Sequence, residues 1–356
     1  MEGQILYISS FRHEIYVCLF LNNSRKLVMA DRIKCPYATF AALSEDERFL
    51  YAGCEHDDGN GGIAVYDISS PLRPRLISFS PLEDQGPAYL EEVKGNMLLT
   101  CSYFSGTMDI FRVNDKAGLE ECLWHKDFTT TGNALPAGGF GQLVPRAHCI
   151  RRVPETDMIL VTDYSGDRLL CFRMEDEHTI KEVAALSFER GAAVRHLEFH
   201  PIYRDTVYIN TEYTGTVYAV RIDQKKGEMS VTDRTPALPG NQAYMCSAIK
   251  VSPDGSYLYN ANRENGSISV FRIKGNGRRL LYIGMLPDMG YVRDFTFDNS
   301  GQFMFVSDQA ANRVRVIKMN WEKGLGTQLP GGIEAELPAS FAVIRKKELE
   351  IKNKEK

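Results

Sequence analysis

The sequence repeats one unit, two short strands joined by a tight turn, along nearly its whole length. The clearest copy is VRHLEFHPIYRDTVYINTEYTGT (194 to 216), in which a Pro- and Asp-containing break separates two runs of β-forming residues. Five more copies begin at residues 38, 88, 148, 247 and 293, and a seventh is divided between PASFAVI (338 to 344) and ILYISSF (5 to 11). The second strands of successive copies end 44, 48, 61, 48, 51 and 46 residues apart. A period of about 50 residues is typical of β-propeller blades.

A third apolar strand follows each complete copy, as in GTVYAVRI and GSISVFRI. Seven blades of four strands use about 350 residues, which is nearly the whole chain. We therefore predict an all-β fold: a seven-bladed β-propeller of four-stranded antiparallel blades, forming one domain over residues 1–344, with a charged, solvated tail at 345–356. Pairing of the C-terminal strand with the N-terminal strands is expected to close the ring and to protect sheet edges.

Composition limits the partners and the location of the protein. The formal net charge is -4 and the pI is about 6.0, so no positive field favours nucleic acid or acidic membranes. The N-terminus lacks a basic signal-peptide region, and no apolar run approaches the roughly 18 residues of a membrane span. We expect a cytoplasmic protein that binds neither nucleic acid nor membrane. Eight cysteines are scattered without CxxC or metal-finger spacing, which indicates reduced thiols. The oligomeric state is left open.

Equivalent positions of the copies carry mostly polar residues at one end of each hairpin. In the first strands these positions are Thr39, Tyr89, His148, Arg195, Ser247, Arg293 and Ser340; in the second strands they are Phe11, Glu55, Tyr103, Tyr164, Glu212, Arg263 and Gln309. Most pairs are 16 or 17 residues apart and equidistant from the turn, so we expect the two positions to face each other across the ladder. Because inner strands surround the channel of a propeller, these residues are predicted to form a polar ring at one mouth of it.

Five residues of this ring are expected to converge from four neighbouring blades: His148, Arg195, Glu212, Arg263 and Arg293. Guanidiniums present a planar set of donors to carboxylate or phosphate, which predicts a site for a small anionic molecule. The structural alternative is an Arg195–Glu212 ion pair that only lines the channel. His196 alternates away from Arg195 and is therefore placed outside the site. The Gly-, Thr- and Pro-rich segment 126–145 is predicted to be a long loop, of the kind that often covers a site.

Several segments resemble one known family. VRHLEFHP (194 to 201), the Asn-Thr-Glu at 210 to 212, IKVSPDGSYLYNANR (249 to 263) and VRDFTFDNSGQFMFVSDQ (292 to 309) are similar to motifs of the seven-bladed propeller lactonases. The likeness covers nearly the whole chain, and the family's site residues match His148, Arg195, Glu212 and Arg263. The chain departs from the family pattern at Arg146-Ala147-His148, at Ala248 and at Asp294, which bears on the substrate more than on the fold.

The resemblance implies hydrolysis of a sugar-acid lactone, with 6-phosphogluconolactone as the first candidate. We assign proton transfer to His148 or Glu212, and the holding of anionic oxygens to Arg195 and Arg263. Five residues are predicted to bind substrate: Arg293, Arg146, Gln309, Glu55 and Tyr103. We expect no cofactor and no metal, because metal-ligand spacing is missing, and the absence of a Gly-x-Ser-x-Gly motif argues against a serine hydrolase.

Two other functions stay open at this point. The same arginines and a proton donor would serve the lactonisation of a carboxylated muconate, which is also implied by the family. The propeller could instead be a non-catalytic interaction platform. Such repeats often show a Trp-Asp dipeptide in each blade, and neither Trp124 nor Trp321 is followed by Asp. A platform also predicts a channel mouth without convergent charge.

Overall fold

The computed structural model describes residues 2–55, 61–82, 86–116, 118–128, 146–240, 245–345 and 349–350. None of the described residues lies in an α-helix, and the strands contain many β-branched and aromatic residues, as in TVYINT and SISVFRIK. The strands in chain order are β1 (Glu2–Ser10), β2 (Glu14–Leu21), β3 (Lys26–Lys34), β4 (Ala38–Leu43), β5 (Phe49–Glu55), β6 (Gly61–Asp67), β7 (Arg75–Leu82), β8 (Pro87–Val93), β9 (Met97–Ser102), β10 (Thr107–Val113), β11 (Leu119–Asp127), β12 (Ala147–Arg152), β13 (Met158–Asp163), β14 (Arg168–Met174), β15 (Ile180–Ser187), β16 (Val194–Phe199), β17 (Thr206–Thr211), β18 (Thr216–Ile222), β19 (Met229–Pro236), β20 (Cys246–Val251), β21 (Tyr257–Asn262), β22 (Ser267–Lys274), β23 (Arg279–Leu286), β24 (Val292–Phe297), β25 (Phe303–Asp308), β26 (Arg313–Asn320), β27 (Leu325–Glu334), β28 (Pro338–Val343) and β29 (Leu349–Glu350).

These strands form seven antiparallel sheets, each of which is one blade. Blades 1 to 6 are built from four consecutive strands each, from β4–β7 to β24–β27, and blade 7 combines β28 with β1, β2 and β3. The inner strand of every blade contacts the inner strands of both neighbouring blades, so the ring is closed. The predicted seven-bladed propeller is confirmed.

Blade 7 joins the two ends of the chain. β28 pairs with β1 in antiparallel register, and the hydroxyls of Ser9 and Ser340 lie 2.9 Å apart in a hydrogen bond between the two strands. This is the closure that the sequence predicted. Within the segment predicted to be a charged tail, Leu349–Glu350 forms the short strand β29, which pairs with Glu2–Gly3. The rest of that predicted solvated tail, beyond residue 350, lies outside the described residues.

The hydrophobic core lies between the blades. All six residues of β17 are buried, whereas β19, at the outer edge of the same blade, alternates between exposed and partly buried residues. Tyr208 and Val217 of blade 4 pack against Cys246 and Leu258 of blade 5 in one buried cluster. Because β17 pairs directly with the inner strand β16, this packed core supports the strand whose side chains face the channel.

A β-bulge interrupts the pairing of the inner strand near one end of each blade. In blade 4 the regular pairing stops at Val194 and resumes at Leu197, so that Arg195 and His196 together lie opposite the single residue Asn210. The Glu212 N–H consequently donates to the Ala193 carbonyl (2.8 Å) rather than facing Arg195. The expectation that the two polar positions of each hairpin face each other directly is therefore wrong, because it assumed a ladder without bulges.

The bulge also changes one assignment in blade 2. There the irregularity falls between Pro87 and Tyr89, so Ala88 occupies the position equivalent to His148. Tyr89 lies one residue further along the channel, where its hydroxyl accepts from Nη1 of Arg151 (3.4 Å). The shorter spacing of 14 residues between Tyr89 and Tyr103 is a sign of this shift in register.

Candidate active site

The bulged ends of the inner strands surround one cavity of about 370 Å³. Its lining includes ten residues of the two predicted sets: Phe11, Thr39, Glu55, Tyr103, His148, Arg195, Glu212, Arg263, Arg293 and Ser340. The chain thus brings together side chains that are up to 329 positions apart in sequence, from Phe11 to Ser340. A cavity of this size, lined by aromatic and convergent polar groups, suits a small molecule.

Glu212 holds two arginines at the centre of this lining. Its carboxylate oxygens lie 2.8 Å from Nε of Arg195 and 2.6 Å from Nη2 of Arg263. All three residues are at most 6% exposed. Burial acts to raise the pKa of the Glu212 carboxyl, but the guanidiniums of Arg263 and Arg195 outweigh it and keep that pKa below its usual value. The carboxylate is therefore ionised and engaged at both oxygens, which makes it a poor proton acceptor.

Arg293 is a third cation next to the two ion pairs that Glu212 forms. Its guanidinium lies over the Phe11 ring, 5.3 Å from the ring centroid, and no carboxylate among the described residues lies within 4.0 Å of it. Burial and the nearby Arg195 and Arg263 guanidiniums lower the pKa of Arg293. A desolvated cation is costly without a counter-charge, so the site favours an anion at this position.

Two imidazoles occupy the adjoining wall of the cavity. The ring centroids of His148 and His196 are 5.0 Å apart, and Tyr103 packs edge-on against His148 at 5.4 Å. Burial, followed by the charge of Arg195, lowers the pKa of both histidines well below the usual range, so both are neutral near pH 7. Nδ1 of His148 and Nε2 of His196 are buried and find no hydrogen-bond partner in the described part of the chain.

Two of the predicted substrate-binding residues do not line the cavity. The Arg146 guanidinium lies 4.5 Å from the Tyr103 ring centroid and donates from Nη1 to the Tyr103 carbonyl (3.3 Å). The backbone N–H of Gln309 donates to the Tyr291 carbonyl (2.8 Å), and its side chain is absent from the described cavity lining. Substrate binding by Arg146 and Gln309 stays a prediction.

Sequence reasoning missed three polar residues that do line the cavity, His196, Tyr213 and Asp294. His196 was rejected because side chains alternate along a regular strand, and the bulge removes that alternation. A signal was present: Val194 and Leu197 are apolar residues three positions apart, which is incompatible with period-two spacing. Asp294 accepts from the backbone N–H groups of Phe295 (2.8 Å) and Phe341 (3.3 Å) and lies 3.7 Å from the Lys250 ammonium.

The predicted covering loop falls mainly in 129–145, which lies outside the described residues. Within the described ranges, no group of three or more His, Cys, Asp or Glu side chains is arranged to hold a metal ion. None of the described segments is a helix of the length and apolarity that a membrane crossing requires.

The sequence is similar to those of known lactonases. The 6-phosphogluconolactonase of Bacillus subtilis is 26% identical over 305 residues, which are 84% of this chain and 85% of that protein. The 6-phosphogluconolactonase of Formosa agariphila is 26% identical over 304 residues, which are 82% of this chain and 84% of that protein.

Solved structures show the same fold. A Bacteroides uniformis protein provisionally assigned as a 6-phosphogluconolactonase superposes with a TM-score of 0.88 at 25% identity, covering 97% of this chain and 100% of its own. A periplasmic gluconolactonase of Pseudomonas aeruginosa superposes with a TM-score of 0.87 at 18% identity, covering 96% and 99%. Residues 5–343 match the family described as "Lactonase, 7-bladed beta-propeller". The chain therefore belongs to the seven-bladed β-propeller lactonase family.

Proposed function

We propose that the protein hydrolyses the lactone of an anionic sugar acid, with 6-phosphogluconolactone as its substrate. The observation that carries this proposal is the arrangement of Arg293, a cation without a carboxylate partner among the described residues, beside the paired guanidiniums and two neutral imidazoles of one cavity. The relatives from Bacillus subtilis and Formosa agariphila bear the name of this activity.

Arg293 is proposed to bind the phosphate of the substrate. A phosphate supplies the counter-charge that the cavity lacks at this point, and a guanidinium can donate two parallel hydrogen bonds to it. The Phe11 ring fixes the guanidinium from one side. When the phosphate is bound at Arg293, the lactone carbonyl lies next to Arg195 and Arg263.

Arg195 and Arg263 are proposed to stabilise the oxyanion that forms when water attacks the carbonyl carbon. Nη1 of Arg195 is buried and has no acceptor among the described residues, so a donor is available for a substrate oxygen. Glu212 holds both guanidiniums in place through its two ion pairs. This role replaces the proton transfer that sequence reasoning offered for Glu212, because both of its oxygens are occupied.

His148 is proposed to act as the base. The oxygen of water bonds to the carbonyl carbon while His148 takes a proton from that water; the bond from this carbon to the ring oxygen then breaks, and the ring oxygen receives a proton. The products are a hydroxyl and a carboxylic acid, which ionises at neutral pH. A neutral imidazole with a buried, unpartnered nitrogen is ready for the first transfer.

The proposal is tested by the rate at which purified protein removes 6-phosphogluconolactone, measured above the spontaneous rate with a coupled dehydrogenase assay. Arg293→Met is expected to raise KM for this substrate about 10- to 100-fold, because a hydrogen bond to a charged group contributes about 1.5–3 kcal/mol. The same variant should leave the hydrolysis of unphosphorylated gluconolactone unchanged. Arg279→Met, at an exposed position of β23, is the control.

No acceleration of either lactone by the wild type would overturn the proposal. A carboxylated muconate is included as a further substrate, because its lactonisation uses similar anion contacts; turnover of the muconate alone would assign that reaction instead. The interaction-platform alternative predicted a mouth without convergent charge, whereas Glu212 lies within 2.8 Å of two arginines there.

A further inference from the structure

The bulge in blade 4 directs His196 into the cavity and holds it there. The His196 N–H donates to Oδ1 of Asn210 (3.0 Å), and Nδ2 of Asn210 donates to the Ser247 carbonyl (3.0 Å) and to Oδ1 of Asn260 (2.8 Å). Asn210 and Asn260 are fully buried. A buried, saturated amide network fixes the backbone of residue 196, so the imidazole has a defined position.

His196 and His148 lie close enough to share a ligand. Their ring centroids are 5.0 Å apart at an interplanar angle of 68°, which lets one water molecule or one substrate oxygen reach both rings. Each ring keeps one buried nitrogen without a partner in the described part of the chain. An orphaned buried nitrogen is unfavourable in a merely structural histidine, and two such nitrogens in one cavity point to a ligand that supplies the missing hydrogen bonds.

The charges around the two imidazoles oppose the presence of more than one added proton on the pair. The charged groups packed around the two rings are Arg195, Arg263, Arg293, Lys250, Glu212 and Asp294. Tyr89 contacts His196, and Tyr103 and Tyr164 contact His148. The nearby guanidiniums oppose protonation of either ring, and a proton on one ring opposes a proton on the other.

Two of the three carboxylates in the described lining of the cavity are less suited to proton transfer. Both oxygens of Glu212 are in ion pairs, and both oxygens of Asp294 accept backbone N–H groups. Glu55 also lines the cavity, from blade 1, so it is included in the test below. The two imidazoles are the adjacent pair of groups that can each accept and donate a proton.

We propose that His148 and His196 act together as the acid and base of lactone hydrolysis, an inference that rests on the proposed function. One imidazole, neutral at the start, takes a proton from the attacking water as the new carbon–oxygen bond forms and becomes an imidazolium. This proton passes to the other ring, which donates it to the ring oxygen as the old carbon–oxygen bond breaks. Both imidazoles end neutral, so the proton balance closes without any co-reactant.

The test is the pH dependence of kcat and KM for His196→Gln, His148→Gln, the double variant and Glu55→Gln. His178→Gln, at an exposed position on the outside of blade 3, is the matched control. His196→Gln should lower kcat about 100-fold or more with KM within twofold, and His148→Gln, which removes the base assigned above, should also abolish the acid limb of the kcat profile. Because the two residues act as a unit, the double variant should be no more than a few-fold slower than the slower single variant. Circular dichroism checks that each variant is folded.

A kcat within threefold of the wild type for His196→Gln would overturn the pair while leaving the lactonase function intact. Loss of kcat in Glu55→Gln but not in His196→Gln would assign the second proton to Glu55. Absence of lactonase activity in the wild type would contradict both the histidine pair and the proposed function. If the variants do not fold, ¹⁵N-histidine NMR of the wild type decides: two independent titrations near pH 6.5 contradict a shared proton.

Discussion

Glu212 and Arg263 form a 2.6 Å ion pair between blades 4 and 5, although 51 positions separate them in the sequence. The same carboxylate binds Arg195 of its own blade. The repeat thus places a carboxylate and guanidiniums from two hairpins next to each other at the channel mouth. Since Arg293 is also close, the centre of the site carries three guanidiniums and one carboxylate, and its electrostatic balance depends on Glu212.

Replacement of Glu212 by Gln should destabilise the fold strongly. The change keeps the shape of the side chain but leaves buried guanidiniums without their anion, and breaking a buried pair from one side costs about 3–5 kcal/mol. The measurement is the free energy of unfolding from urea titration. Sulfate at constant ionic strength should restore part of the stability of this variant by occupying the cation cluster.

The matched control for this prediction is Glu175→Gln. Glu175 also pairs at 2.6 Å, with Lys181, but both side chains are at least 45% exposed. Exposed pairs contribute about 0–1 kcal/mol, so the two substitutions should differ by at least about 2 kcal/mol. Equal losses in the free energy of unfolding would show that burial does not increase the contribution of the Glu212 ion pairs to stability.

Inorganic phosphate should stabilise the wild type against thermal unfolding, and Arg293→Met should remove most of that effect. An anion that binds only the folded state adds about 2.7 kcal/mol when its concentration is 100 times Kd. Differential scanning fluorimetry measures the shift, with chloride at matched ionic strength as the reference. A shift of equal size in Arg293→Met would place the phosphate elsewhere on the protein.

The fold was predictable because each blade repeat is local in the sequence and occurs several times. Alternating apolar residues, turn signals and a period of about 50 residues recur in each copy, and together they specify strands, blade number and closure. Convergence of the polar ring followed from the same register. Glu212, Arg195 and Arg263 could therefore be grouped from sequence, although nothing local in the chain indicates that they touch.

The details that sequence did not predict depend on single inserted residues. A bulge changes which face a side chain occupies, so His196 enters the cavity and Tyr89 lies deeper in the channel than its assigned position. Gln309 has the correct register, but its side chain does not line the cavity. The orientation of a residue at a strand end depends on packing between blades, which periodicity does not encode.

The lowered pKa values of His148 and His196 should make stability fall below about pH 6.5. In the folded state the pKa of both His148 and His196 is lowered, so between the ordinary value and the folded value the unfolded chain binds more protons. The free energy of unfolding then falls as pH falls, by up to about 1.4 kcal/mol per pH unit for each histidine. Urea titrations at pH 6.5 and 5.5 measure this slope.

The variant His148→Asn,His196→Asn should show a flatter slope in this window than the wild type, because its folded state no longer excludes two protons. His178→Asn, which removes an exposed imidazole, should keep the wild-type slope. Identical slopes in the wild type and the double variant would mean that the two imidazoles titrate normally in the folded state.

Gly266 should not tolerate alanine, because its turn positions Arg263. The Gly266 N–H donates to the Arg263 carbonyl (3.1 Å), and at φ +55° an added Cβ would lie 1.8 Å from the Met289 carbonyl oxygen. Gly275 has a similar φ of +59°, yet its nearest neighbour would be 3.7 Å away. Alanine at either position adopts a left-handed backbone conformation, which costs about 1 kcal/mol. Only at Gly266 does the added Cβ force the backbone to move.

Gly275→Ala should therefore lower the free energy of unfolding by about 1 kcal/mol and leave kcat/KM for the lactone unchanged. Gly266→Ala should lose about 2 kcal/mol or more beyond that, since a main-chain clash cannot be relieved by rotating a side chain. Its kcat/KM should also fall about tenfold or more, because displacement of the turn moves Arg263 away from Glu212. Equal stability and equal kcat/KM in the two variants would show that the turn after β21 does not determine where Arg263 lies.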